Sequence, residues 1–218
     1  MTRLFKSKVF NAIKRINKRR LKNKSFSLFS NDCWGGELYK YFELEYNTPF
    51  IGLYLMAPCY ISFLKDPKKY LDKELKFKKY SKYEQVEKTM SKIGNRFPVG
   101  IIDDIEIQFM HYKSEEDALK KWNRRKSRIN WDNLYIKFDG NKDGANDLLI
   151  ESFNSITNKK ICLLDKNGRK TIESVLVLDW ETDGAVMFKK SIKYFDVVLW
   201  LNKGKVKNTF VNNLLSHK

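Results

Sequence analysis

The sequence predicts an α/β layered domain, a mainly parallel sheet flanked by helices. Two observations carry that expectation. Short apolar runs of strand length, such as "NLYIKF", "KKICLLD" and "SVLVLDW", alternate with amphipathic stretches of helical spacing. The composition also supplies a core: 42% of the 218 residues are apolar and 14% aromatic, which excludes a generally disordered chain. At this length one domain is expected, here residues 25–218, preceded by a basic segment over residues 1–24.

Residues 3–21 place Phe5, Val9, Ala12, Ile13 and Ile16 on one helical side, opposite an almost purely basic set. Residues 1–24 hold ten Lys or Arg and no acid, so much of the formal charge of +17 sits there. Such a helix suits an anionic membrane surface and, less well, nucleic acid. It would equally pack on the core with a solvated basic face.

"SFSLFS" (25–30) reads as a strand entering "SNDCWGG", and residues 36–46 as a short helix with Leu38, Tyr41 and Phe42 on one side. "TPFIGLYLM" (48–56) is dense enough in apolar residues for a strand buried on both faces. Residues 59–75 are helical, interrupted before Pro67. The Lys-rich residues 76–100 form a partly helical connection. "GIIDDIEIQFMHY" (100–112) alternates, which predicts a strand with Ile105, Ile107, Phe109 and His111 on its apolar face.

The next helix, residues 114–129, opens with Ser114 and Asp117 at capping-box spacing, with acids leading and bases trailing. Ala118, Leu119, Trp122 and Ile129 form its buried stripe. Residues 133–144 read as a strand running into an Asx/Gly loop, and residues 145–156 as an amphipathic helix. Residues 159–165 and 174–180 are further strands. Residues 194–202 are a strand or a buried helix, and the tail from Lys203 is helical.

Several classes are excluded. No apolar run approaches the roughly 20 residues that span a bilayer, and the N-terminus lacks the apolar stretch of a secretory signal. Cys33, Cys59 and Cys162 are widely spaced without a CxxC pair, which argues against structural zinc and for a reduced, cytoplasmic chain. No Walker loop, GxGxxG or zinc-protease motif occurs, so no cofactor is assigned. Asp139, Asn141, Asp143 and Gly144 approximate a calcium loop. However, six residues separate Gly144 from Glu151 instead of the usual five, which turns the last ligand about 100° around a helix. A capped loop is the simpler reading, and no metal is assigned.

Ligands of open α/β sheets bind beyond the carboxyl ends of strands. Cys33, His111 and the loop over residues 139–144 each follow an expected strand. Cys33 is a candidate nucleophile with His111 as its base and Asp32, Asp103 or Asp104 as the orienting carboxylate. Gly35 and Gly36 would turn backbone N–H groups toward a developing oxyanion, with Trp34 beside the substrate. The same residues would also make a tight turn around a buried thiol. Arg124, Arg125 and Arg128, with Lys121, fall on one broad helical side, suited to the phosphate of a nucleotide-sugar, coenzyme A or polyprenyl-phosphate donor, or to solvent alone.

"SNDCWGG", "YNTPFIGLYL", "FPVGIIDDIEIQFMHY" and "EEDALKKWNRRKSRINWDNLYI" occur in order over residues 30–143. In these stretches the chain resembles a bacterial family labelled exopolysaccharide (capsule) biosynthesis proteins. The family pattern more often has Asn at Asp32 and a second His at Gln108. The resemblance implies a pathway more than a reaction: surface-polysaccharide assembly, with the protein expected in the cytoplasm or peripheral at the inner face of the membrane. The expected enzyme is an acyl- or glycosyl-type transferase with a Cys33–His111 site, acyl transfer favoured. The alternative is a non-catalytic module held by its basic helix to an anionic membrane or nucleic acid.

Overall fold

The computed structural model describes residues 3–168, 171 and 173–208. Of the two histidines, His111 lies within them and His217 outside. In chain order α1 spans Arg3–Arg20, β1 Ser27–Ser30, α2 Trp34–Phe42, α3 Ala57–Lys65, α4 Pro67–Asp72, β2 Lys76–Lys78, α5 Glu84–Ile93, β3 Val99–Ile102 and β4 Ile105–Gln108. Then follow α6 Glu115–Lys126, β5 Leu134–Asp139, α7 Asp147–Asn154, β6 Lys159–Leu164, β7 Ser174–Leu176, α8 Gly184–Ser191 and α9 Val197–Lys203.

The main sheet has the order β1-β5-β6-β7, and every pairing in it is parallel. This is the layered α/β arrangement that the alternation of runs predicts. Strand side chains alternate between two cores. Leu134, Ile136 and Phe138 of β5 join Tyr60, Phe63, Trp122 and Phe153 from α3, α6 and α7. Tyr135 of β5, with Ile161, Leu163 and Val175, joins Trp34, Leu38, Phe188 and Trp200 from α2, α8 and α9. Burial on both faces explains why these strands read as nearly continuous apolar runs. Lys137 is the exception, a lysine in mid-strand with no exposed side-chain surface.

Several expectations are corrected. Residues 48–56 form no strand; Tyr54 and Gln108 exchange two backbone hydrogen bonds of 2.9 Å as an isolated bridge. Pro49 lacks a backbone donor, and Gly52 sits at φ +71°, so the segment cannot hold an extended ladder. Residues 100–112 are two strands, not one. Asp103, at φ +57°, turns the chain between β3 and β4, and β2, β3 and β4 make a second, antiparallel sheet. His111 therefore lies beyond the strand and is exposed, not on an apolar strand face.

Within residues 194–202 the chain forms helix from Val197 onward, α9, which Gly204 ends at φ +69°. The helix expected from Lys203 is absent through residue 208, where the chain pairs back onto Phe195 and Asp196. The sequence reading has no counterpart for α8. Its N-cap is Asp183, whose carboxylate accepts the Ala185 and Val186 N–H groups at 2.8 Å each. The cap expected at Ser114 is present, with Ser114 Oγ accepting from the Asp117 N–H at 3.1 Å. Finally, α1 packs inward through Phe10, against Tyr41 at 5.7 Å between ring centroids, while Val9, Ala12, Ile13 and Ile16 of the expected apolar stripe are exposed; the side chain of Phe5 lies outside the described residues.

Candidate functional site

A cleft of about 770 Å³ opens at the carboxyl ends of β1 and β5. One half of its lining comes from the parallel sheet and its loops: Asp32 and Cys33 after β1, Lys142 and Asp143 after β5, and Asp183 and Gly184 at the start of α8. The other half comes from the long excursion between β1 and β5: Tyr46, Gly52, Tyr54, His111, Tyr112, Lys121 and Arg125.

The first half rests on a buried ionic cluster. Asp32 Oδ1 pairs with Lys137 Nζ at 2.8 Å and accepts the Trp34 N–H at 3.1 Å and the Ser30 hydroxyl at 3.0 Å. Asp32 Oδ2 pairs with Lys142 Nζ at 2.7 Å. Asp139 Oδ2 stands 3.9 Å from Lys137 and 4.0 Å from Lys142, while its Oδ1 accepts from the Trp180 indole at 3.2 Å. Lys137 Nζ also lies 5.9 Å from the Trp34 ring centre. Burial opposes ionisation of Asp32, but the Lys137 and Lys142 ammonium groups outweigh it and hold the carboxyl well below the ordinary range. Asp139 is raised, chiefly by burial.

Asp143 belongs to the same half. It stands at φ +55°, a left-handed conformation uncommon for a non-glycine residue, and its carbonyl accepts the Ala57 N–H at 2.7 Å. Burial pushes its carboxyl up to about 6, helped by the negative charges of Asp32 and Asp139 and opposed by Lys142. A carboxyl of that strength in a cleft can exchange a proton near neutrality.

Cys33 lines the cleft as the N-cap of α2, with no side-chain capping hydrogen bond. Burial, then Asp32 and Asp183, raise its thiol to about 12. At pH 7 that leaves on the order of one thiolate in 10⁵. Cys33 and His111 line the same cleft, but no hydrogen bond joins them among the described residues. Asp32 serves the lysines, not the imidazole. Asp103 is paired with Lys73, and Asp104 accepts from the Tyr70 hydroxyl at 2.8 Å.

The remaining candidates divide. Gly36 lines the cleft, whereas Trp34 and Gly35 lie behind it. The Trp34 indole donates to Ser191 Oγ at 2.9 Å. A Cβ on Gly35 would come within 2.9 Å of Ser30 Cβ, so this glycine lets α2 lie close on β1. Of the three arginines only Arg125 reaches the cleft; Arg124 is exposed, and Arg128 pairs with Glu45. Arg125 is only 8% exposed. Its Nη1 donates to the Tyr112 oxygen at 2.6 Å, and its guanidinium lies 5.1 Å from the Tyr46 ring centre. Among the described residues its Nε has no hydrogen-bond partner, and no carboxylate pairs with it. Tyr112 in turn donates to the Ile51 carbonyl at 2.6 Å, and the His111 N–H donates to the Gly52 carbonyl at 3.0 Å. Gly52 has room for both: a Cβ there would sit 3.3 Å from His111 Cβ and from the Tyr112 ring.

Among the described residues no group of three or more His, Cys, Asp or Glu side chains is placed to hold a metal ion. The side chains suited to a phosphate are Arg125 and Lys121, although Lys121 also pairs with Asp117 at 2.7 Å. Sequence reasoning missed Lys137, Lys142 and Asp183, and placed Asp143 only in a loop. A lysine inside "LYIKFD" is the one signal that could have found the ionic cluster, since a charge in a doubly buried strand needs a partner. Asp183 could have been found as a cap before "GAVMFKK".

The chain is 30% identical over 200 residues to an uncharacterized protein of Haemophilus influenzae, a match that spans 87% of this chain and 90% of that relative. A family pattern matches residues 5–202, and so takes in α1 from its third residue, both sheets and every residue of the cleft. The chain belongs to that family, described as a domain of unknown function (DUF1919).

Proposed function

We propose that the protein is a glycosyl-type transferase of surface-polysaccharide assembly that uses a nucleotide-activated sugar. The observation that carries this reading is Arg125, a buried guanidinium without a carboxylate partner that opens on the cleft. A buried charge without a counter-ion is costly, and an anionic ligand group would supply the missing partner. The cleft is large enough for such a donor. The polysaccharide pathway is supported by the sequence resemblance alone.

The Cys33 environment moves the chemistry away from acyl transfer, because a thiol that resists ionisation is a poor nucleophile. Asp143 is better suited, being about nine-tenths ionised at pH 7. An acceptor hydroxyl would give its proton to the Asp143 carboxylate as its oxygen bonds to the anomeric carbon. The anomeric C–O bond to phosphate breaks, and the nucleoside diphosphate leaves with the electron pair, its charge held by Arg125. Tyr46, Tyr54 and Tyr112 line the cleft with rings against which the sugar and base would pack.

Titration calorimetry with UDP-, GDP- and dTDP-hexoses tests binding, and phosphorus NMR follows release of the diphosphate with water as acceptor. At least one donor should bind, Arg125→Met should weaken it about tenfold or more, and Asp143→Asn should keep binding but lose release. Failure of all three donors to bind, or unchanged behaviour of both variants, overturns the proposal.

A further inference from the structure

The amphipathic pattern of α1 is turned outward. Val9, Ile13 and Ile16, spaced for one helical stripe, are 40%, 45% and 55% exposed. The inward side is already occupied by other residues. Phe10 packs on Tyr41, Asn17 Nδ2 donates to the Tyr41 hydroxyl at 3.1 Å, and Leu21 is buried in the core. Lys14 pairs with Glu43 at 3.1 Å, and Lys18 with the same carboxylate, so the helix is clamped to the end of α2. The rotation that this clamp imposes leaves the apolar stripe in water.

Beside that stripe run Lys8, Arg15 and Arg19, at the spacing of the adjacent stripe. All three are exposed, and among the described residues none forms an ion pair. A row of branched aliphatic side chains with unneutralised cations along its flank matches one surface chemistry, an acyl-chain boundary beneath anionic headgroups. No described helix is long and apolar enough to cross a membrane, so the match is to a helix lying in the interface. We propose that α1 docks the folded protein on an anionic bilayer through Val9, Ile13 and Ile16, with Lys8, Arg15 and Arg19 at headgroup level. Nucleic acid would use the cations and leave the aliphatic stripe in water; a second copy would cover the stripe but repel at its basic flank.

Cosedimentation of the full chain with vesicles tests this. Vesicles of phosphatidylcholine with about 30% phosphatidylglycerol should be bound, and pure phosphatidylcholine vesicles should not. The double variant Ile13→Asp/Ile16→Asp should lose binding, and Arg15→Glu/Arg19→Glu should weaken it about tenfold or more. Both should keep the wild-type melting curve, because the substituted side chains are exposed. The proposal is overturned if neither vesicle binds, if both bind equally, or if the Asp variant binds as wild type. It is also overturned if sedimentation equilibrium shows a dimer that the Asp variant abolishes, or if duplex DNA is bound more tightly than the anionic vesicles.

Discussion

The two halves of the cleft lining carry charge in different ways. On the strand-end half, Asp32, Lys137, Asp139 and Lys142 neutralise one another inside the protein, so the charges are held in place by partners that the fold provides. On the half contributed by the excursion between β1 and β5, Arg125 is buried against Tyr112 and Tyr46 with no carboxylate, and His111 is exposed. In the first half every one of these charges has a counter-ion within the fold, although Asp139 Oδ2 has no hydrogen bond; in the second, Arg125 has no carboxylate partner among the described residues and its Nε donates to nothing. A buried ion cluster sets geometry and tunes its neighbour Asp143, whereas a buried cation without a counter-ion invites one from solution.

The largest effect should come from breaking the half whose charges are internally paired. Lys137→Met removes the cation between two buried carboxylates and should cost about 3–5 kcal/mol in urea unfolding, more than any change on the other half. Adding Asp32→Asn should recover part of that loss, since it removes one of the stranded charges.

Asp143→Asn should next lower diphosphate release by about 10²-fold or more, if the carboxylate takes the acceptor proton. The same variant separates catalysis from stability through pH. The folded pKa of about 6 lies above the ordinary 3.8, so the folded state holds this proton more tightly than the unfolded chain. The stability contribution of Asp143 is full below about pH 4 and is lost as pH rises through about 6. Asparagine cannot ionise and tolerates φ +55°, so the variant should melt higher than wild type above about pH 7 and match it near pH 4. An equal melting temperature across that range would remove the raised carboxyl from the account.

Gly52→Ala sharpens the comparison from the other half. It places a Cβ at φ +71°, 3.3 Å from His111 and Tyr112, and should cost about 1–2 kcal/mol while weakening donor binding through the displaced Tyr112–Arg125 contact. The smallest effect belongs to Cys33→Ser, which should change diphosphate release by less than about threefold because the thiol is protonated at working pH. Complete loss of activity in Cys33→Ser would restore the thiol to the chemistry and break the division between the halves.

Local chemistry made much of the fold legible. The α6 cap at Ser114, the break before Pro67 and the apolar runs of β1, β5 and β6 depend on neighbours a few residues away or on burial of both strand faces. Placement of Asp32 and Cys33 at a strand end followed from the same pattern. His111 also reached the cleft, though by a different route from the one its alternation implied. It gets there because the Asp103–Asp104 turn folds β4 back and Gly52 accepts its backbone N–H.

What the sequence by itself determined is the class of architecture, the basic amphipathic α1 and the strand-end position of Asp32 and Cys33, because periodicity, caps and turn residues act over one or two turns of chain. The tertiary structure alone decided which arginine is buried, which way α1 presents its aliphatic stripe, and that Lys137 joins Asp32 across 105 residues of chain. Those outcomes depend on long-range contacts, where the surroundings of a side chain, not its spacing, set its charge state and exposure.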